Sequence, residues 1–184
     1  PPSTDLRDPG LLDEALGILD ALIAYDTIAL TPNLDLIQDC RARLESLGAT
    51  VILTYDETRT KANLFATIGP DVAGGVVLSG HSDVVPVDAA DWTTPPFSAD
   101  RRHGRVYGRG TADMKGFISC VLAMAPAFAA LDLDRPIHVA LTFDEEDGFH
   151  GAPILLADLV ARGVRPSAAI IGEPTGLRTV GAHQ

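Results

Sequence analysis

The chain has 184 residues and is 46% hydrophobic, enough apolar material for one domain with a substantial core. Its formal net charge is -11, from 25 acidic against 14 basic residues, which argues against nucleic acid as a partner because nothing offsets the repulsion of phosphates. Only Lys61 and Lys115 are lysines, and no basic amphipathic stretch or long apolar run would seek a membrane. Cys40 and Cys120 lie far apart within apolar helical patterns, so both are expected as buried free thiols in a reducing, cytoplasmic setting. Pro1 to Asp5 lack the apolar region of a signal peptide.

In chain order, Leu11 to Ala24 places Leu12, Leu16, Leu19, Leu22 and Ile23 at helical spacing. Asn33 is the expected N-cap of a second helix with the apolar face Ile37, Cys40, Leu44 and Leu47, stopped by Gly48. Short β-like runs follow at Val51 to Tyr55, Asn63 to Ile68 and Gly75 to Ser79. Val87 to Ser98 is a long connection, and Val106-Tyr107 is a short strand. Met114 to Leu131 is apolar nearly all round, which predicts a buried helix, kinked or shortened at Pro126. Pro136 to Phe143 reads as a strand, Ala152 to Arg162 as a helix and Ala168 to Ile171 as a strand. This alternation predicts an α/β fold, a three-layer αβα sandwich, with its sheet covered on both faces.

Four clusters carry chemistry: His81-Ser82-Asp83, Gly110 to Gly116 with Asp113, Asp144-Glu145-Glu146-Asp147-Gly148, and Gly172-Glu173-Pro174-Thr175. Three follow closely on an apolar strand, and open α/β sheets bind ligands beyond the carboxyl ends of their strands. Each cluster alone reads as a structural His, a solvated acidic loop or a turn. Together they gather carboxylates that repel one another unless a cation sits among them. One His with several Asp/Glu suits zinc, at about 2.0–2.2 Å per bond, and also admits Mn or Co. Asp83 is placed to accept a hydrogen bond from the far ring nitrogen of His81. Adjacent Glu145 and Glu146 can divide, one toward metal and one free as a base.

These four clusters resemble the signatures of the M20 di-zinc peptidases and deacylases, in matching order and spacing along essentially the whole chain. The resemblance implies a mostly parallel mixed sheet in a zinc-peptidase-like catalytic domain. It implies that His81, Asp113 and Glu173 bind one metal, and that Asp113 bridges to a second held also by Glu146. Glu145 would be the general base, Asp83 the partner of His81, and the peptide after Asp113 cis. Thr58 to Asn63, Thr111 to Gly116 and Ala182-His183 are most similar to the acetylornithine deacetylase branch. That branch implies hydrolysis of an N-acyl amino acid; desuccinylase, aminoacylase and dipeptidase activities are the alternatives within the family, and a non-catalytic metal-binding module the alternative outside it. The resemblance further implies that residues 1–184 are the N-terminal portion of a catalytic domain. A dimerisation domain, and a later segment with another metal-binding His, would lie outside them, so these residues alone are expected to have little activity.

Overall fold

The computed structural model describes residues 8–181; Pro1 to Asp5 and the Ala182-His183 pair lie outside them. Helix α1 (Pro9–Ala24) begins where the Asp8 carboxylate accepts the Gly10 N–H at 2.8 Å, and Pro9 sits where a missing N–H leaves no bond unmade. Its buried stripe is Ala15, Ile18, Leu19, Leu22 and Ile23. Leu12, expected on that stripe, is exposed, and Leu11 packs against the core in its place. Helix α2 (Leu34–Ser46) buries Leu36, Ile37, Cys40 and Leu44. It ends in a Schellman turn: Gly48, at φ 83°, donates to Glu45 O and Ala49 to Leu44 O, satisfying two of the last carbonyls.

The strands are β1 (Thr50–Tyr55), β2 (Ala62–Ile68), β3 (Val76–His81), β4 (Asp100–Arg102), β5 (Arg105–Tyr107), β6 (Ile137–Thr142) and β7 (Ala168–Ile171). Helix α3 (Lys115–Ala129) connects β5 to β6, and α4 (Gly151–Ala161) connects β6 to β7. Five strands form one mixed sheet in the order β1-β2-β6-β3-β7. Only β2 runs against the others: it pairs antiparallel with β1 and β6, whereas β3 pairs parallel with β6 and β7. Alternation along β2 sends Leu64 and Ala66 to one face and Phe65 to the other. The first face packs against α1, α2 and α3, through residues such as Leu22, Ile37 and Leu122. The second packs Phe65, Val77 and Ala140 against Leu155 and Leu159 of α4. This is the expected three-layer αβα sandwich. Each fully buried Leu or Ile contributes roughly 1.5–3 kcal/mol. The covering is uneven, however, since β7 is exposed along its length and α4 leaves Leu156 and Val160 open.

The structure departs from the sequence reading in three further places. Cys120 is exposed, not buried. It is the one exposed residue of α3 between Lys115 and Phe128, which apolar composition alone did not reveal. Helix α3 passes through Pro126 and ends at Ala129, with Leu131 beyond it. A further strand, β4, pairs with β5 across His103-Gly104, both at positive φ as a tight hairpin turn requires. Its sequence Asp-Arg-Arg has no strand character, so only the partner reveals it. No helix among the described residues is long and apolar enough to cross a membrane.

Candidate metal centre

The carboxyl ends of β3, β6 and β7 open on one rim. In register, His81 closes β3 opposite Thr142 of β6, and Ser79 lies opposite Ile171 of β7. Glu145 and Glu146 therefore follow just beyond β6, and Glu173 just beyond β7. Residues 27–33 wrap the end of β3. Thr27 Oγ1 donates to Ser82 O at 2.6 Å, and the Val84 and Ala29 N–H groups bond to Thr27 O and Val84 O. Asn33 does not cap α2 with its side chain; fully engaged elsewhere, it bridges both main-chain groups of Ala62 and donates to Ser82 Oγ at 3.0 Å. Asp113 comes from the turn that opens α3, and its peptide to Met114 is cis, as expected. Gly116 allows that turn to close, since a Cβ there would stand 2.3 Å from Thr111 O.

His81 is buried, and its Nε2 lies 3.0 Å from Asp113 Oδ1, 3.8 Å from Glu173 Oε1 and 3.9 Å from Glu145 Oε2. Donor atoms of His81, Asp113 and Glu173 all fall within 4.8 Å of one another, and so do those of His81, Glu145 and Glu146. The structure thus brings together every residue singled out in the sequence. One atomic detail differs. His81 Nδ1 is bonded to the main-chain carbonyl of Asp83 at 2.9 Å, and the Asp83 carboxylate stands 3.6 Å away, too far for a hydrogen bond. That carboxylate is drawn elsewhere: it accepts the N–H groups of Glu145 at 3.1 Å and Glu146 at 3.0 Å.

Burial disfavours the charged form of His81, yet Asp83, Asp113 and Glu145 outweigh it and raise the imidazole to about 9. Burial likewise opposes ionisation of Asp83, but its hydrogen bonds and the neighbouring ring hold the carboxyl below the usual range. Partial burial, followed by repulsion from Asp113, raises Glu146; partial burial also raises Glu173, where repulsion from Asp113 and Glu145 works against attraction to His81. A ring kept protonated beside Glu146 and Glu173, both raised by burial and by acidic neighbours, marks a site short of positive charge, and the imidazole-plus-carboxylate donor set fits a divalent cation. Asp113, Glu145, Glu146, Phe149, Glu173, Pro174 and Thr175 line a cavity of about 330 Å³ at this point.

The sequence pattern described as Peptidase family M20/M25/M40 matches residues 77–183, more than half of the chain and all four clusters. The chain belongs to this family. Among M20 relatives, it is 42% identical over 142 residues to acetylornithine deacetylase of Proteus mirabilis (strain HI4320), covering 77% of this chain and 36% of that protein. It is 40% identical over 174 residues to the acetylornithine deacetylase of Shigella sonnei (strain Ss046), covering 91% and 44%. The chain therefore spans less than half the length of these relatives. Among solved structures, human carnosine dipeptidase 1 superposes with a TM-score of 0.71 at 26% identity, over 86% of this chain and 38% of that one. The M20 family metallo-carboxypeptidase Sso-CP2 from Sulfolobus solfataricus superposes with a TM-score of 0.75 over 87% and 37%; at 22% identity it speaks to the fold alone.

The sequence motifs include three residues to which they gave no role and which the folded chain ties to the surroundings of the site. Lys61 reaches Asp144, and Asn63 reaches Phe143 and Gly151. Lys115, fully buried, donates from Nζ to Tyr25 O at 2.7 Å, and burial lowers its pKa to about 8. The available signals were that Lys61 and Asn63 fall in the Thr58 to Asn63 stretch and Lys115 in the Gly110 to Gly116 cluster.

Proposed function

We propose that the chain is the N-terminal part of a metal-dependent catalytic domain that hydrolyses the amide bond of an N-acyl amino acid. The favoured substrate is N-acetylornithine, split into ornithine and acetate as a step of arginine biosynthesis. One observation carries this reading: a buried imidazole faces three carboxylates from three separate elements, within 3.9 Å, where the parallel strands end. His81, Asp113 and Glu173 would hold one cation, and Asp113 with Glu146 a second. The donor set favours zinc, with Co or Mn as substitutes.

When bound, the cation supplies Lewis-acid polarisation of the amide carbonyl and lowers the pKa of water toward about 7. Glu145, a quarter exposed toward the cavity, takes the proton of the attacking water and hands it to the leaving amine. The Asp83 carbonyl fixes the His81 ring, and the Asp83 carboxylate holds the backbone of Glu145 and Glu146. The roughly 40% identity to two acetylornithine deacetylases supports the substrate. The 26% identity to carnosine dipeptidase 1 favours a dipeptide amide as the second choice. In the whole protein a further domain would mediate homodimer formation and a later segment would add another His ligand. Two free cysteines accord with a cytoplasmic setting.

In the full-length protein, Glu145→Gln should lower turnover of N-acetyl-L-ornithine at least ~100-fold while metal content stays unchanged. Near-normal turnover in that variant refutes the role of Glu145. Faster cleavage of dipeptides than of N-acetyl-L-ornithine by the wild type moves the substrate assignment.

A further inference from the structure

The loop bearing Glu145 and Glu146 is closed at its neck by residues from the start of β2. Gly151 N–H bonds to Phe143 O at 3.0 Å, and His150 N–H to Asp144 O at 3.2 Å. The buried Asn63 side chain spans the same neck, accepting from Phe143 N–H at 3.2 Å and donating to Gly151 O at 2.9 Å. Two positions earlier, Lys61 Nζ pairs with the carboxylate of Asp144, with the two side chains 14% and 1% exposed. The ammonium also sits 5.3 Å from the centre of the Phe143 ring. The other Asp144 oxygen accepts the Leu30 N–H at 2.8 Å. Lys61 is itself fixed: its N–H donates to Asp56 Oδ1 at 2.8 Å, and its carbonyl accepts the Asp56 N–H at 3.0 Å.

Asp144 holds φ 50°, the left-handed region, where β6 gives way to the loop. Asp tolerates that conformation better than most residues, but it still needs surrounding structure to impose it. A buried ion pair gains little net stability over apolar side chains of the same volume. This one lies directly before Glu145, where Asp144 would otherwise add an uncompensated carboxylate to an acidic cluster.

We propose that Lys61 and Asp144 are positioning residues whose buried ion pair sets the backbone from which Glu145 and Glu146 project. The inference rests on the amide-hydrolysis reading for its consequence in turnover, but its structural half is independent of it. The test uses full-length protein carrying Lys61→Met, Lys61→Arg, Asp144→Asn and the Lys61→Met/Asp144→Asn pair. Turnover of N-acetyl-L-ornithine and amide hydrogen exchange across residues 144–150 are measured in each.

Lys61→Met should lower kcat by about 10–100-fold with KM within about threefold, as for loss of an outer partner of a reactive group. Exchange across 144–150 should rise at least ~10-fold while β2 and α3 keep their protection. Lys61→Arg should restore most of both, and the double variant should be no worse than Lys61→Met, because one interaction is removed once. Wild-type kcat and loop exchange in Lys61→Met overturn the proposal, as does exchange that rises uniformly over the chain, the mark of an ordinary stabilising pair. If Lys61→Met fails to fold, the same two readings on Asp144→Asn, which keeps the side-chain shape, decide. Retained turnover in Glu145→Gln would sink the hydrolytic reading alone, leaving loop exchange to judge the positioning role.

Discussion

Replacing Asp83 with Asn tests how the site is tied together. The Asp83 carboxylate is buried and accepts two main-chain N–H groups, from Glu145 at 3.1 Å and Glu146 at 3.0 Å. Asparagine keeps the shape and one acceptor oxygen, but its NH2 then confronts the second N–H, donor against donor. The charge facing His81 Nδ1 at 3.6 Å is lost as well. A hydrogen bond to a charged group is worth about 1.5–3 kcal/mol, and at least one is forfeited. If that strain falls on the loop carrying Glu145 and Glu146, about 2 kcal/mol corresponds to a loss of metal affinity of roughly 30-fold. Chelator competition on the full-length protein reads this directly, with turnover measured at saturating metal. Wild-type metal affinity and turnover in Asp83→Asn would show that the loop does not depend on these two bonds.

Two further outcomes follow from other parts of the fold. A Cβ at Gly151 would stand 2.5 Å from Phe143 O, 2.6 Å from Asn63 Oδ1 and 2.7 Å from Phe143 N, all firmly held atoms. Gly151→Ala should therefore cost about 1–3 kcal/mol despite the better helix propensity of alanine, and a urea midpoint at or above wild type would contradict the packing argument. With metal removed, His81 is raised from its ordinary value of 6.5 to about 9, so the folded state binds that proton more tightly than the unfolded chain does. This stability is complete below about pH 6.5 and drains away as pH rises through 9, by roughly 1–2 kcal/mol between pH 6.5 and 8. Buried Lys115, lowered to about 8, works in the opposite sense and is relieved chiefly above that window. Urea unfolding of metal-free protein at the two pH values measures the difference; equal stability would mean that His81 does not hold its proton among these carboxylates.

The order of elements was legible in the sequence because helix and strand periodicities are local. Apolar residues at 3.6-residue spacing marked α1 and α2, and the short apolar runs marked β1, β2, β3, β6 and β7 to within a few residues. The gathering of the candidate residues at one rim was legible as well, since three of the four acidic or imidazole clusters closely follow strands. Parallel strands necessarily bring such ends to one rim, and β3, β6 and β7 do so here.

What periodicity could not reveal were the features fixed by a distant partner. β4 exists because β5 pairs with it, not because Asp-Arg-Arg favours extension. Cys120 is exposed because no described element packs over it, although α3 is apolar on nearly every side. Asn33 looks like a cap but spends its amide on Ala62 and Ser82, and Asp83 gives its carbonyl to His81 and its carboxylate to the acidic loop. A sequence states which donors and acceptors are present. Which of them meet is decided when tertiary packing excludes water, because each buried polar group must then find a partner within about 3 Å.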